Sequence, residues 1–189
     1  MENINLYIDC DGVILNTIDI LIYLFKKYKI NVKDEMAVIK FLSQLDWDEI
    51  IKQSSQINNS IYYIKELINS NIFNPAILSH ITCLQEAAAK RIYFLQNVPG
   101  LSVFLIYKLE SKTTIGNVRN KILVDDYTPN LVEWEKAGGI GIKFTQYKKP
   151  NYPFFQISSL EELLITKEEL IKLIERPKIE YKQIILSKR

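Results

Sequence analysis

Residues 4–17 read INLYIDCDGVILNT, and the fold turns on how the apolar run at 4–8 comes to its end. The run suits a buried strand. Aspartate and glycine do not, so it stops at Asp9-Cys10-Asp11-Gly12. A plain turn would account for one such stop. Far down the chain a second apolar run, at 122–124, ends on another carboxylate pair, Asp125-Asp126. Two strands that each deliver acids at their carboxyl ends point to one shared site at the edge of a sheet.

Working outward, Ile18, Leu21, Ile22, Phe25 and Tyr28 recur at helical spacing, so a helix follows the first strand. Residues 31–74 give three more helix-like pieces, broken around Asp46-Trp47 and Asn58-Asn59 and closed by Asn74-Pro75. A short strand is expected at 76–79. Thr82 and Gln85 then have capping-box spacing for a helix that runs to Gln96 and breaks at Pro99-Gly100. Further strands are expected at 103–107, 122–124 and 140–144. A helix starting at Thr128-Pro129 and stopping at Gly138-Gly139 separates the last two. Ser159 with Glu162, and Thr166 with Glu169, repeat the capping-box spacing before Pro177.

Strands alternating with helices predict an α/β protein: a Rossmann-like three-layer α/β/α core with a parallel sheet. A small helical cap is inserted after the first motif. The expected division is 1–17 and 75–177 for the core, 18–74 for the cap, and 178–189 for a C-terminal tail or added strand.

The 189 residues suffice for one domain with a modest insertion. A net charge of +2 with no long basic block does not imply a polyanion-binding surface, though it leaves room for a local basic cluster, and no stable nucleic-acid complex is expected. No apolar stretch approaches the roughly 20 residues that cross a bilayer, and the first ten residues lack a basic segment followed by an apolar core; a cytoplasmic protein is expected. Two cysteines make no disulfide framework, and the single His80 rules against a closed His/Cys zinc site. Chemistry must therefore run on carboxylates, hydroxyls and lysines.

Asp9, Asp11, Ser79, Asp125 and Asp126 all fall at or just after expected strand ends. Four carboxylates gathered there would repel one another unless a cation joined them, and hard oxygen ligands of this kind suit Mg2+. A metal beside a free carboxylate makes a phosphoryl-transfer site, in which an aspartate can attack phosphorus. A second aspartate two residues on could protonate the leaving oxygen and then deprotonate the hydrolytic water.

These residues resemble the haloacid dehalogenase (HAD) superfamily of phosphatases over residues 4–145. Asp9-x-Asp11-Gly12-Val13 is similar to its first motif, Ile77-Leu78-Ser79 to its second, Lys90 to its third-motif lysine, and Ile122-Leu123-Val124-Asp125-Asp126 to its fourth. Asn130, Trp134 and the Gly138-Gly139-Ile140 turn after the acidic pair resemble the 5'(3')-deoxyribonucleotidase-like branch. The resemblance implies a magnesium-dependent phosphomonoester hydrolase whose substrate is a small phosphorylated molecule, with a nucleotide as first choice. It implies Asp9 as nucleophile and metal ligand, and Asp11 as acid/base that lends its backbone carbonyl to the metal. Ser79 and Lys90 would hold phosphate, Asp126 would complete the metal site, and Asp125 would orient Lys90 or a metal-bound water.

Two departures stand out: the branch has Thr-Ser where this chain has Leu78-Ser79-His80, and the polar stretch 108–120 offers Lys112 as the working lysine instead of Lys90. Lys90 also lies four residues after Glu86, a spacing that fits an ordinary ion pair on a helix. His80 beside Ser79 does not make a hydrolase dyad, because strand neighbours point to opposite faces. Trp47, in the polar break Asp46-Trp47-Asp48, is a candidate substrate contact, with a place in the cap's own core as the rival reading. Other readings of the whole chain are a catalytically idle ligand-binding relative, or a phosphatase acting on sugar phosphates or nucleic-acid ends. Oligomeric state is left open.

Overall fold

The computed structural model describes residues 3–175. Six strands form one sheet: β1 (Ile4–Ile8), β2 (Phe73–Ile81), β3 (Ser102–Tyr107), β4 (Ile122–Asp125), β5 (Ile140–Phe144) and β6 (Phe155–Ile157). Their order is β3-β2-β1-β4-β5-β6, with every neighbouring pair parallel. The helices are α1 (Thr17–Lys27), α2 (Glu35–Leu42), α3 (Trp47–Gln53), α4 (Ser60–Asn69), α5 (Leu84–Asn97), α6 (Thr128–Lys136) and α7 (Lys167–Glu175). The expected tail at 178–189 lies outside the described residues.

Strand side chains alternate between faces, and both faces are apolar here. Leu6, Ile8, Ile77, Ile122 and Val124 pack with Ile64 and Leu67 of α4 and with Ala89 and Phe94 of α5. Tyr7, Leu78 and Leu123 pack on the other side with Leu131 and Trp134 of α6. The expected three-layer α/β/α architecture follows directly. The chain leaves β1 toward β2 and later returns to β4 on the opposite side, so the carboxyl ends of β1 and β4 flank the point where the winding reverses. Crevices form at such points.

β2 starts earlier than expected and runs through Pro75. The Ile4 N–H donates to Ile72 O, and alternation from there puts the Pro75 nitrogen on the β3 side. β3 first pairs at Ala76, so no ladder bond is lost. The α5 start also shifts by one residue: Cys83 caps the Glu86 N–H, while the Glu86 carboxylate reaches back to Thr82. The Thr166–Glu169 box is reciprocal as expected. β6 and a 3-10 turn at Lys112–Ile115 were not expected from the sequence.

Residues 10–15 form a compact turn, with Ile14 and Leu15 N–H both donating to Cys10 O and Gly12 at φ +74°. Leaving it, the chain runs antiparallel to the returning segment: Asn16 N donates to Ser55 O and Ile57 N to Ile14 O, each at 2.9 Å. Helices α1 to α3 are what lies between these two connections. α4 packs on β2. Among the described residues no helix is long and apolar enough to cross a membrane.

Candidate active site

Asp9 is the first residue past β1, held by its N–H to Val124 O of β4. Its Oδ1 accepts from Cys10 N and sits 3.0 Å from Lys112 Nζ. Lys112 opens the 3-10 turn that folds back after β3, and its Nζ also donates to Asp125 Oδ2 at 2.8 Å. Asp125 is fully buried and accepts from Asn130 Nδ2 of α6 and from Tyr127 N as well. Both of its oxygens are therefore engaged, and its work is to place Lys112 against Asp9.

The next acid, Asp126, lies over the turn after β1. A Cβ on Gly12 would come within 2.4 Å of Asp126 Oδ2, so only glycine admits this carboxylate. The Asp126 backbone carbonyl accepts from Lys143 Nζ of β5. Asp9, Asp125 and Asp126 each bring one oxygen into a group whose members lie within 4.8 Å of one another. Burial, with the neighbouring Asp125 and Asp11 adding to it against the pull of Lys112, raises Asp9 to about 6. Burial and the charges of Asp9 and Asp125 raise Asp126 to about 7. Lys112 stays firmly charged, because Asp125 and Asp9 outweigh its burial.

Two acids that resist ionising side by side, with hard oxygen donors, form a donor set that fits magnesium. Asp9 and Asp126 would hold it. Such an ion supplies charge neutralisation for phosphate oxygens.

A second ion cluster adjoins the first. Asp11 Oδ1 accepts from Thr17 Oγ1 at 2.7 Å, and its Oδ2 receives Lys90 Nζ at 2.5 Å and Ser79 Oγ at 3.2 Å. Lys90 is completely buried, and its Nζ also meets Glu86 Oε1 at 2.8 Å, His80 O at 2.8 Å and Ser79 Oγ at 3.2 Å. Burial opposes charge on Asp11, but Lys90 and the hydrogen bonds from Thr17 and Ser79 prevail and hold its carboxyl below the ordinary range.

The structure thus brings Asp11, Ser79 and Lys90 together in one cluster and Asp9, Asp125 and Asp126 in its neighbour. Asp125 orients Lys112, not Lys90. Lys112 meets Asp9, whereas Lys90 meets Asp11 and has its head surrounded by four protein oxygens. Trp47 differs from the substrate contact suggested by its polar flanks. It is 1% exposed, with Nε1 donating to Leu42 O and its ring 5.5 Å from Lys90 Nζ. As the first residue of α3 it faces inward against α5, so the flanking acids mark a cap and not an exposed ring. His80 turns away from Ser79 and bonds Glu110 O; burial, with Lys112 adding to it, lowers its ring to about 4.

Thr17 and Lys143 were not singled out from sequence. Thr17 could have been suspected as a hydroxyl just past the acidic turn, whereas nothing local marks Lys143. A cleft of about 690 Å³ opens beside the acids, between Gly12 and Asp126 on one wall and Asn16, Gln56, Lys143 and Tyr147 on the others.

No family model and no curated protein matches the sequence. The fold, by contrast, is the one found in hydrolases of the HAD superfamily. A HAD-superfamily hydrolase of subfamily IA, variant 1, from Geobacter sulfurreducens matches with a TM-score of 0.60 at 12% identity, over 85% of this chain and 97% of its own. A family IA, variant 3, HAD hydrolase from Entamoeba histolytica gives 0.58 at 14% identity, over 93% and 100%. The HAD hydrolase YfnB from Bacillus subtilis, solved bound to magnesium, gives 0.56 at 15% identity, over 86% and 97%.

Proposed function

We propose that this protein is a magnesium-dependent phosphomonoester hydrolase working through an aspartyl-phosphate on Asp9. The observation that carries the reading is the placement of Asp9: at the carboxyl end of the central strand, 3.0 Å from the buried Lys112 and grouped with Asp126. Lys112 neutralises part of the charge that builds as a carboxylate meets a phosphate dianion. The HAD-hydrolase fold and the magnesium bound to YfnB agree with it.

In the first step an Asp9 oxygen bonds to phosphorus and the bond to the leaving oxygen breaks. Asp11, held as a carboxylate, collects a proton from the monoanionic substrate, whose second pKa lies near 6, and hands it to the leaving oxygen. In the second step Asp11 takes a proton from water. That water attacks phosphorus, the bond to Asp9 breaks, and inorganic phosphate departs. Ser79 Oγ, buried beside Asp11, is within reach of a phosphate oxygen only if it gives up its bond to that carboxylate.

The cleft beside Asp126 accepts the leaving group, and a nucleoside monophosphate is the substrate of first choice. The basis for that choice is the resemblance of Asp125-Asp126-Tyr127-Thr128-Pro129-Asn130 and Trp134 to the 5'(3')-nucleotidase branch. Phosphate release from nucleoside 5'- and 3'-monophosphates and small sugar phosphates, with and without magnesium and alongside Asp9→Asn, tests the reading. Magnesium-dependent turnover lost in Asp9→Asn supports it. No turnover on any ester despite magnesium binding makes the chain an idle binding relative.

A further inference from the structure

Lys90 is the largest charged side chain in the core that the reaction above does not use. It lies in the second turn of α5, eleven residues after Ser79 of the second motif, and is completely buried. Its head meets two carboxylates: Asp11 in the site and Glu86 one turn back on the same helix. Glu86 is itself fixed, since its other oxygen accepts both the N–H and the hydroxyl of Thr82 at 2.7 Å. From behind, the Trp47 ring of α3 faces the ammonium. The lysine is therefore anchored on the protein side by Glu86, His80 O and Trp47, and its shortest contact, at 2.5 Å, is the one on Asp11 Oδ2. The other Asp11 oxygen has only Thr17.

We propose that Lys90 is a positioning residue: from its Glu86 anchor it fixes the Asp11 carboxylate for proton transfer at the leaving oxygen, and it makes no bond to phosphate. This rests on the hydrolase reading above for what Asp11 does, though not for where Asp11 sits. It also gives α3 a role, because Trp47 closes the lysine's chamber from the inserted helices. All the polar contacts of the ammonium are to protein oxygens: Asp11, Glu86, Ser79 and His80 O. A phosphate ligand would need one of them vacated.

A positioned Asp11 matters unequally to different leaving groups. Alkyl esters need a proton delivered to the departing oxygen, whereas p-nitrophenyl phosphate departs as a stable anion. General-acid placement contributes roughly 100-fold or more to rate where a proton is required. In Lys90→Met/Glu86→Gln, which removes the pair together and leaves no buried Glu86 charge, the kcat ratio of alkyl to p-nitrophenyl ester should fall at least about tenfold. KM for either ester should change far less. An equal fall on both esters, as a merely loosened site would give, overturns the proposal.

Adding Lys90→Met/Glu86→Gln to Asp11→Asn supplies a variant in which Lys90 is removed together with both of its buried carboxylate partners. It should cost no further kcat, and a further loss overturns the proposal. A crystal structure of Lys90→Met/Glu86→Gln reads the placement without any turnover. Asp11 Oδ2 should leave hydrogen-bond distance of Ser79 Oγ, and an unmoved carboxylate refutes the assignment. If the wild-type protein hydrolyses neither ester, the hydrolase reading fails while the crystal structure still decides the role of Lys90.

Discussion

Lys112 stands between two buried acids and bridges them. Its Nζ is 3.0 Å from Asp9 and 2.8 Å from Asp125, and only 1% of its side chain is exposed. Removing one member of a buried ion pair leaves an uncompensated charge and costs on the order of 3–5 kcal/mol. Lys112→Met is therefore expected to lower the urea midpoint by that order of stability and to abolish phosphate release. A variant that keeps wild-type turnover would remove the lysine from the proposed chemistry. At Gly12 the expectation is different. Gly12→Ala forces a Cβ to 2.4 Å from Asp126 Oδ2 at a φ of +74°, so the carboxylate must move. Magnesium affinity should fall about 10- to 100-fold, as when a metal ligand loses its support. Calorimetric titration checks it, and an unchanged affinity would exclude Asp126 as a ligand. The acids themselves were legible in the sequence, because nothing but a site explains charged residues ending two apolar runs. The choice between Lys90 and Lys112 was not, since both follow a strand at plausible distance. Only the 3-10 turn at Lys112–Ile115, folding back across the end of β2, brings Lys112 to Asp9.

At the level of elements, the turn from α6 to β5 shows how tightly the helix is set behind the acidic pair. A Cβ on Gly139 would lie 2.3 Å from the Trp134 indole, and the indole is pinned by its Nε1 bond to Lys121 O. Because α6 also carries Asn130, which holds Asp125, a displaced Trp134 reaches the site. Gly139→Ala should cost about 1–3 kcal/mol through overpacking, read as a lower urea midpoint with an unchanged slope. No loss would mean that the indole can yield. Gly138-Gly139 was readable as a helix stop; the contact that forbids a side chain there was not, because it joins residues through packing and not through the chain. The same limit explains β2 and α5. Asn74-Pro75 reads as a break, yet β3 begins late enough to leave the Pro75 nitrogen without a required partner. The α5 cap moved one residue because Glu86, buried and bonded to Thr82 and Lys90, takes the position that sequence spacing gave to Gln85.

Across the whole molecule, a net charge of +2 hides a core that contains two interlocked charge clusters, and their titration opposes itself. Asp9 and Asp126, at about 6 and about 7 when folded against an ordinary 3.8, bind protons more tightly in the folded chain. Between about pH 4 and 7 the unfolded chain has already released these protons, so stability falls as pH rises through that window. Asp11 works the other way. Its folded value lies below the ordinary one, so its contribution is present above about pH 4 and is lost in acid as pH falls through the folded value. His80, lowered to about 4 from an ordinary 6.5, adds stability as pH rises between those values, so without a divalent cation the decline in melting temperature should be read from about pH 6.5 to pH 8. Magnesium competes with the protons on Asp9 and Asp126, so at least about 10-fold less of it should be needed for a given stabilisation at pH 8 than about one unit below the Asp126 value, where roughly nine-tenths of that acid and about half of Asp9 are protonated. Thermal melts over this range, with and without magnesium, check both statements, and Asp9→Asn/Asp126→Asn should flatten the pH slope and remove the magnesium response together. A decline that survives in the double variant would place the titrating acids outside the cluster and leave the metal without its two carboxylates.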